Sequence, residues 1–284
     1  MKRRWKQVNF KFQFKRQFLS GPYMAWIVGF IILPILMILY YGITDSSGSF
    51  TLQNITAITE PIHMKALLLS LKLALLCTAI CLLLAYPLAM ILNGLHLKRQ
   101  SFVVFIFMLP MWMNLMLRIL AWQLLLSNNG ILNTVLESLG LAKVQLLNTS
   151  SAVVFGMVYD FLPFMILPIY NSMSRIGSDV IDAAKDLGAN TLQVFLKIIL
   201  PLTVSGVISG IIMVFVPALT SFVISDLLGG GKVLLIGNVI EQEFMQSMDW
   251  NMGSGLSIVL MVFVIASMAF MNVHGNEEGG AAVW

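Results

Sequence analysis

Residues 179–201 read DVIDAAKDLGANTLQVFLKIILP, and the organisation of the whole chain follows from them. Val180, Ala183, Ala184 and Leu187 recur at i, i+3, i+4 and i+7, the spacing of one helical face, with Asp179 placed to cap the start. Gly188 ends this helix, because glycine accepts the left-handed backbone that terminates helices. Asn190 or Thr191 then caps a second helix over 192–200, and Pro201 opens a long apolar run. Two short helices set at an angle by a glycine make a knob that offers small alanines to a partner.

Outward from the knob the character changes. The run 152–170 precedes it and the run 201–225 follows it; four more lie at 23–41, 66–92, 102–126 and 252–272. Stretches of about 20 apolar residues cross a hydrocarbon core of roughly 30 Å. The chain of 284 residues is 58% hydrophobic and only 11% charged, with a mean hydropathy of +0.89, which excludes a soluble globular enzyme. The expectation is an all-α integral membrane protein, a bundle of six spans with no room for a second catalytic domain.

Charge orients the bundle. Lys2, Arg3, Arg4, Lys6, Lys11, Lys15 and Arg16 precede the first span with no acid among them. With this end inside, twelve Lys/Arg lie on the cytoplasmic side, including Lys98, Arg99, Arg175, Lys185 and Lys197, against Lys65, Lys143 and Lys232 outside. Both termini are then cytoplasmic. Segment 1–22 is a basic cytoplasmic segment, 23–272 the six-span transmembrane domain with the knob at about 173–200, and 273–284 an acidic, Gly-rich tail on the cytoplasmic side. No cleavage site follows the first run, so it reads as a retained span.

Pro34, Pro87, Pro110, Pro163, Pro168 and Pro217 fall in the spans, which predicts kinked helices. Gly206 and Gly210 give the fifth span a small-xxx-small face for close approach. Cys77 and Cys81, four residues apart in one apolar run, read as small core residues. Residues 131–139 read as a short interfacial helix, and the outer segments 43–64, 127–150 and 226–250 are long enough to meet an external partner.

The pattern Asp182-Ala183-Ala184, three residues, Gly188, nine residues, Ile198, one residue, Leu200-Pro201 resembles the "EAA" signature of ABC-importer permeases. Asp182 stands where that family usually has glutamate. The resemblance implies a six-span permease that works as a pair and whose knob is the coupling helix docked in a cytoplasmic ATPase. Leu109-Pro110-Met111-Trp112, Tyr159-Asp160-Phe161-Leu162-Pro163-Phe164, Asp186-Leu187-Gly188-Ala189, Ser225-Asp226-Leu227-Leu228-Gly229-Gly230 and Leu235-Ile236-Gly237-Asn238-Val239-Ile240 extend the likeness over nearly the whole chain. They look like the first permease subunit of bacterial spermidine/putrescine importers. That implies a bacterial plasma-membrane complex of this chain, a sister permease, an ATPase dimer and an extracytoplasmic polyamine-binding protein. ATP and magnesium then belong to the ATPase, and this chain carries no cofactor. The tail has no counterpart in the family.

A polycation needs carboxylates to offset its charge and aromatic faces for cation–π contact. Trp112, Trp122, Tyr159 and Asp160 are candidates within the membrane, and Asp226 and Glu241 at the outer mouth, beside Glu243 and Asp249. Asp160 lies roughly 12 Å inside the fourth span, so it faces a cavity or a partner. Arg118 on the third span is that partner if the pair is structural; packing or an interfacial belt is the other reading of the aromatics. Lys72 is read as snorkelling to the outer interface. Pro217 with Thr220, Ser221 and Ser225 reads either as an opened stretch of the fifth helix or as a packing kink.

Gly229-Gly230-Gly231-Lys232 lacks the first glycine of a phosphate loop and has Val233 where a hydroxyl would hold magnesium. His63, His96 and His274 are too scattered for a metal site or a triad, and no nucleic-acid footprint exists without a basic face on a soluble module. The alternatives are an importer permease for another small organic cation or solute, an ion-coupled secondary carrier, and a non-transporting membrane scaffold.

Overall fold

The computed structural model describes residues 16–94 and 109–280, with side-chain surroundings for 21–94, 109 and 111–271. The cations of residues 2–15, Lys98, Arg99 and the last four residues of the expected tail lie outside the described residues. Among the described residues six helices are long and apolar enough to cross a membrane: Gly21–Gly42, Pro61–Gly94, Leu115–Ser138, Ser150–Met173, Thr191–Thr220 and Trp250–Met271. Among the described residues there is no β-strand, only an isolated bridge between Thr44 and Phe50.

The third span is interrupted. Its described part begins with a 3₁₀ turn at Leu109–Trp112, and Asn114 then caps helix Leu115–Leu126 by accepting a bond from the Leu117 N–H at 3.2 Å. A turn at 127–130 separates that helix from a short one, Ile131–Ser138, where a short helix was expected at 131–139. The sixth helix is longer than expected: it runs Trp250–Gly280, through most of the stretch read as tail.

Two prolines act by widening the helix before them. The N–H of Leu33 reaches back to the Val28 carbonyl and that of Leu200 to Phe195, so Val28–Ile32 and Phe195–Ile199 are π turns. Pro34 and Pro201 follow directly, and an i→i+5 turn relieves the clash of the proline ring with the carbonyl four residues back. The 192–200 helix and the span starting at Pro201 are therefore one element, Thr191–Thr220, where two were expected. Pro87, Pro163, Pro168 and Pro217 sit inside α-helices.

The second, fourth and fifth spans form the centre. Small buried residues recur along the second, Ala66, Ser70, Ala74, Cys77, Cys81, Ala85 and Ala89, which lets the helices approach closely. Both cysteines are buried free thiols. On the fifth span a methyl group built on Gly206 would stand 2.7 Å from the Pro168 carbonyl oxygen, and one on Gly210 3.2 Å from that of Met165. Lipid tails are as apolar as these side chains, so it is shape and dispersion that hold the helices together.

The first span leans on the sixth. Its last carbonyls, orphaned as at any helix end, are met by side chains: Asn251 Nδ2 donates to Tyr41 O at 3.1 Å and Asn54 Nδ2 to Gly42 O at 3.4 Å. After the fifth span comes a helical hairpin, Val223–Gly229 and Ile236–Met245. Ile224, Leu228, Leu235 and Ile236 are almost fully buried, so much of the expected outer loop is core.

Candidate functional site

The knob is built as a helix with a glycine stop. Helix Ser178–Asp186 has Gly177 at its N-cap, so Asp179 sits in the first turn and not at the cap. At the other end Gly188 has φ of +84°, its N–H donates to the Lys185 carbonyl at 2.8 Å, and the Ala189 N–H donates to Ala184 at 3.0 Å. This pair of bonds is a Schellman stop, and the positive φ is what requires glycine there. Asn190 and Gln193 then exchange side-chain-to-backbone bonds of 2.8 and 2.9 Å, a capping box that starts the next helix.

The knob is largely uncovered. Leu187 is 89% exposed at its tip and Leu192 64%, while Ala184 is buried beneath. Asp182 and Ala183 are exposed, with Asp182 3.5 Å from Lys185. Ile198 lies half-buried in the π turn, and Leu200 and Pro201 are exposed just beyond it. Two links tie this base to the second span: Tyr86 Oη lies 2.8 Å from Thr203 Oγ1, and the Tyr86 ring meets Phe195 edge-on at 5.6 Å.

A second cluster lies inside the membrane region. Arg118 and Trp122, four residues apart on Leu115–Leu126, share a face turned toward Tyr159 and Asp160 on the fourth span. The Arg118 guanidinium pairs with the Asp160 carboxylate, and both are buried, at 8% and 5% exposure. Trp122 meets Tyr159 edge-on at 5.2 Å and Phe155 at 4.7 Å, and Arg118 lies 6.0 Å from the centre of the Tyr159 ring. The paired charges are compensated, so at a distance the site presents a dipole and not a free carboxylate. Trp112 lies in the 3₁₀ turn, 73% exposed.

The acidic candidates fall on the hairpin. Asn238 Nδ2 donates to the Asp226 carboxylate and, at 3.1 Å, to the Phe222 carbonyl, while its Oδ1 accepts the Leu235 N–H at 3.0 Å. Asp226 thus helps to tie the two helices together. Ser225 donates to the Val233 carbonyl and Ser70 of the second span accepts the Ile236 N–H at 2.8 Å. Gly230 and Gly231 have φ of +54° and +73°, so the glycine run is the hairpin's turn. Glu241, on the second helix, lines a groove of about 680 Å³.

Sequence reading missed the stitching roles of Asn238, Ser70 and Tyr86, and it put Ser225 in the fifth span, whereas that helix ends at Thr220 and Ser225 lies in Val223–Gly229. Asn238 had a visible signal, an amide three residues after Leu235 at the start of an apolar helix; the others depend on contacts between distant segments.

Comparison with known proteins places these features in context. A family pattern described as "Binding-protein-dependent transport system inner membrane component" matches residues 85–274. The chain is 39% identical over 280 residues to the spermidine/putrescine transport system permease protein PotB of Haemophilus influenzae, covering 96% of each chain. It is 41% identical over 247 residues to PotB of Escherichia coli K12, covering 84% of this chain and 90% of that one. A bacterial alginate ABC transporter, in complex with an alginate pentasaccharide-bound periplasmic protein, superposes with a TM-score of 0.76 at 17% identity, over 93% of this chain and 94% of the other.

Proposed function

The chain belongs to the family of binding-protein-dependent transport system inner membrane components, and on that premise we propose that it is the permease subunit of an ATP-driven importer of spermidine and putrescine. The observation that carries the substrate is the 39% identity over 96% of the chain to a spermidine/putrescine permease. Such a protein is a transport subunit, not an enzyme. It sits in a bacterial inner membrane and works with an ATPase and a binding protein, as parts of an ABC transporter.

The finer assignments follow from the site. A sister permease supplies the other half of the pathway, and a polyamine-binding protein delivers substrate to the outer mouth. The knob at residues 178–190 docks on the ATPase dimer, which holds the ATP and magnesium. What supports this reading is an apolar tip, Leu187 at 89% exposure, on a helix fixed by a Schellman stop and a capping box. A rigid, uncovered apolar knob is suited to transmit force into Thr191–Thr220, to which it is joined by only four residues. Asp182, Ala183, Ala184, Gly188, Ile198, Leu200 and Pro201 are the coupling residues. When the ATPase closes, the push passes through the π turn to the fifth span and, by way of Tyr86 and Thr203, to the second.

The test is uptake in cells whose other polyamine uptake is removed. Expression of the chain with its sister permease, ATPase and binding protein should restore labelled spermidine uptake, competed by putrescine and not by a neutral sugar or an amino acid. Competition by another small organic cation alone would move the substrate assignment, and uptake without the ATPase would favour an ion-coupled carrier.

A further inference from the structure

The groove beside Glu241 is mostly apolar; its other polar side chains, Thr220 and Ser257, donate their hydroxyls to carbonyls of their own helices, at 3.0 Å to Val216 and 2.7 Å to Gly253. Phe222, Phe244 and Trp250 supply rings, and Leu260 and Met261 of the sixth span supply its aliphatic wall. The groove reaches from Trp250 at the head of the sixth helix past Ser257 to Val264, about 10 and 20 Å along the axis at 1.5 Å per residue. It therefore descends from the outer mouth toward mid-membrane. Glu241 is half-buried, and among the described residues its carboxylate has no ion pair and no hydrogen bond. A half-buried carboxylate on an apolar wall is unfavourable until a cation meets it.

Glu243 is likewise half-buried without an ion pair or side-chain hydrogen bond among the described residues, but it does not line the groove, and three other acids are already engaged. Asp160 is compensated by Arg118, Asp226 accepts from Asn238, and Asp249 Oδ1 caps the sixth helix through the Met252 N–H at 2.9 Å. We propose that this groove is the chain's own holding site for a linear alkylammonium substrate. Glu241 takes one ammonium, the rings of Phe222, Phe244 and Trp250 stabilise it by cation–π contact, and Leu260 and Met261 take the methylenes between charges. One carboxylate in an apolar slot selects a chain with separated charges over a compact, strongly hydrated cation. The inference rests on the polyamine reading above and moves the substrate from the Asp160 cluster to the hairpin.

The experiment uses the assembled complex in vesicles. Glu241→Gln should raise the KM for spermidine by about tenfold or more, with the maximal rate of ATP hydrolysis unchanged, and Glu241→Asp should recover part of the loss. A Ser257→Cys chain should be shielded from a thiol reagent by spermidine and not by the uncharged diol 1,8-octanediol. An unchanged KM in Glu241→Gln, or no shielding by spermidine, in a complex whose parent imports spermidine would overturn this site alone. A parent complex that imports no polyamine would overturn the functional reading and the site with it.

Discussion

Replacing Asp160 with Asn leaves Arg118 charged and buried at 8% exposure with its counter-ion gone. Removing one partner of a buried ion pair costs about 3–5 kcal/mol, because the remaining charge keeps its desolvation penalty and loses its compensation. In the membrane region the penalty is not relieved by water, so Asp160→Asn and Arg118→Gln should each lower the thermal midpoint of the purified chain by roughly 5–10 °C. The double variant restores neutrality and leaves two amides able to bond each other. It should lose only about 1–2 kcal/mol, giving a coupling energy of about 4 kcal/mol or more. The assay is thermal unfolding of the four proteins in one detergent, followed by spermidine uptake in reconstituted complex. A structural pair requires that the double variant regain both stability and uptake. Additive losses in the double, or Asp160→Asn with parental stability and no uptake, would refute this reasoning and make Asp160 a substrate group.

Three further outcomes follow from local geometry. Gly188→Val forces a β-branched residue into φ of +84°, at about 1–2 kcal/mol, and should abolish import and ATPase stimulation by the binding protein while membrane levels of the chain stay normal in immunoblots. Gly206→Val drives a side chain against the Pro168 carbonyl, where backbone cannot give way, and should cost about 1–3 kcal/mol, seen as a lower unfolding midpoint. Asn238→Ala leaves the Phe222 carbonyl and Leu235 N–H without their side-chain partner, a loss of about 2–3 kcal/mol that should appear as faster hydrogen exchange in the hairpin at 223–245.

The spans were legible because apolar length is a strong signal that survives any packing arrangement. The knob was legible too, since Gly188 and the alanine spacing are local features, although Gly177 and not Asp179 precedes the helix as its cap. What lay beyond the sequence depends on contacts between distant segments. The hairpin at 223–245 looks like an acidic, Gly-rich loop, yet its stability comes from Asn238, Ser225 and Ser70 meeting backbone groups up to 166 residues away. Pro201 signalled a helix start, whereas the π turn before it fuses the knob's second helix to the fifth span. Asp160 and Arg118 were matched by depth alone, which does not distinguish a structural pair from a substrate site. Glu241 was one acid among several until the groove it lines set it apart.

The most direct test of the central claim is uptake of labelled spermidine and putrescine into vesicles carrying this chain, its sister permease, the ATPase and the binding protein, with each component omitted in turn. The account predicts flux that requires every component and hydrolysable ATP, and none with a non-hydrolysable analogue. An assembled complex that hydrolyses ATP but moves neither polyamine, or flux that persists without the ATPase, would contradict it.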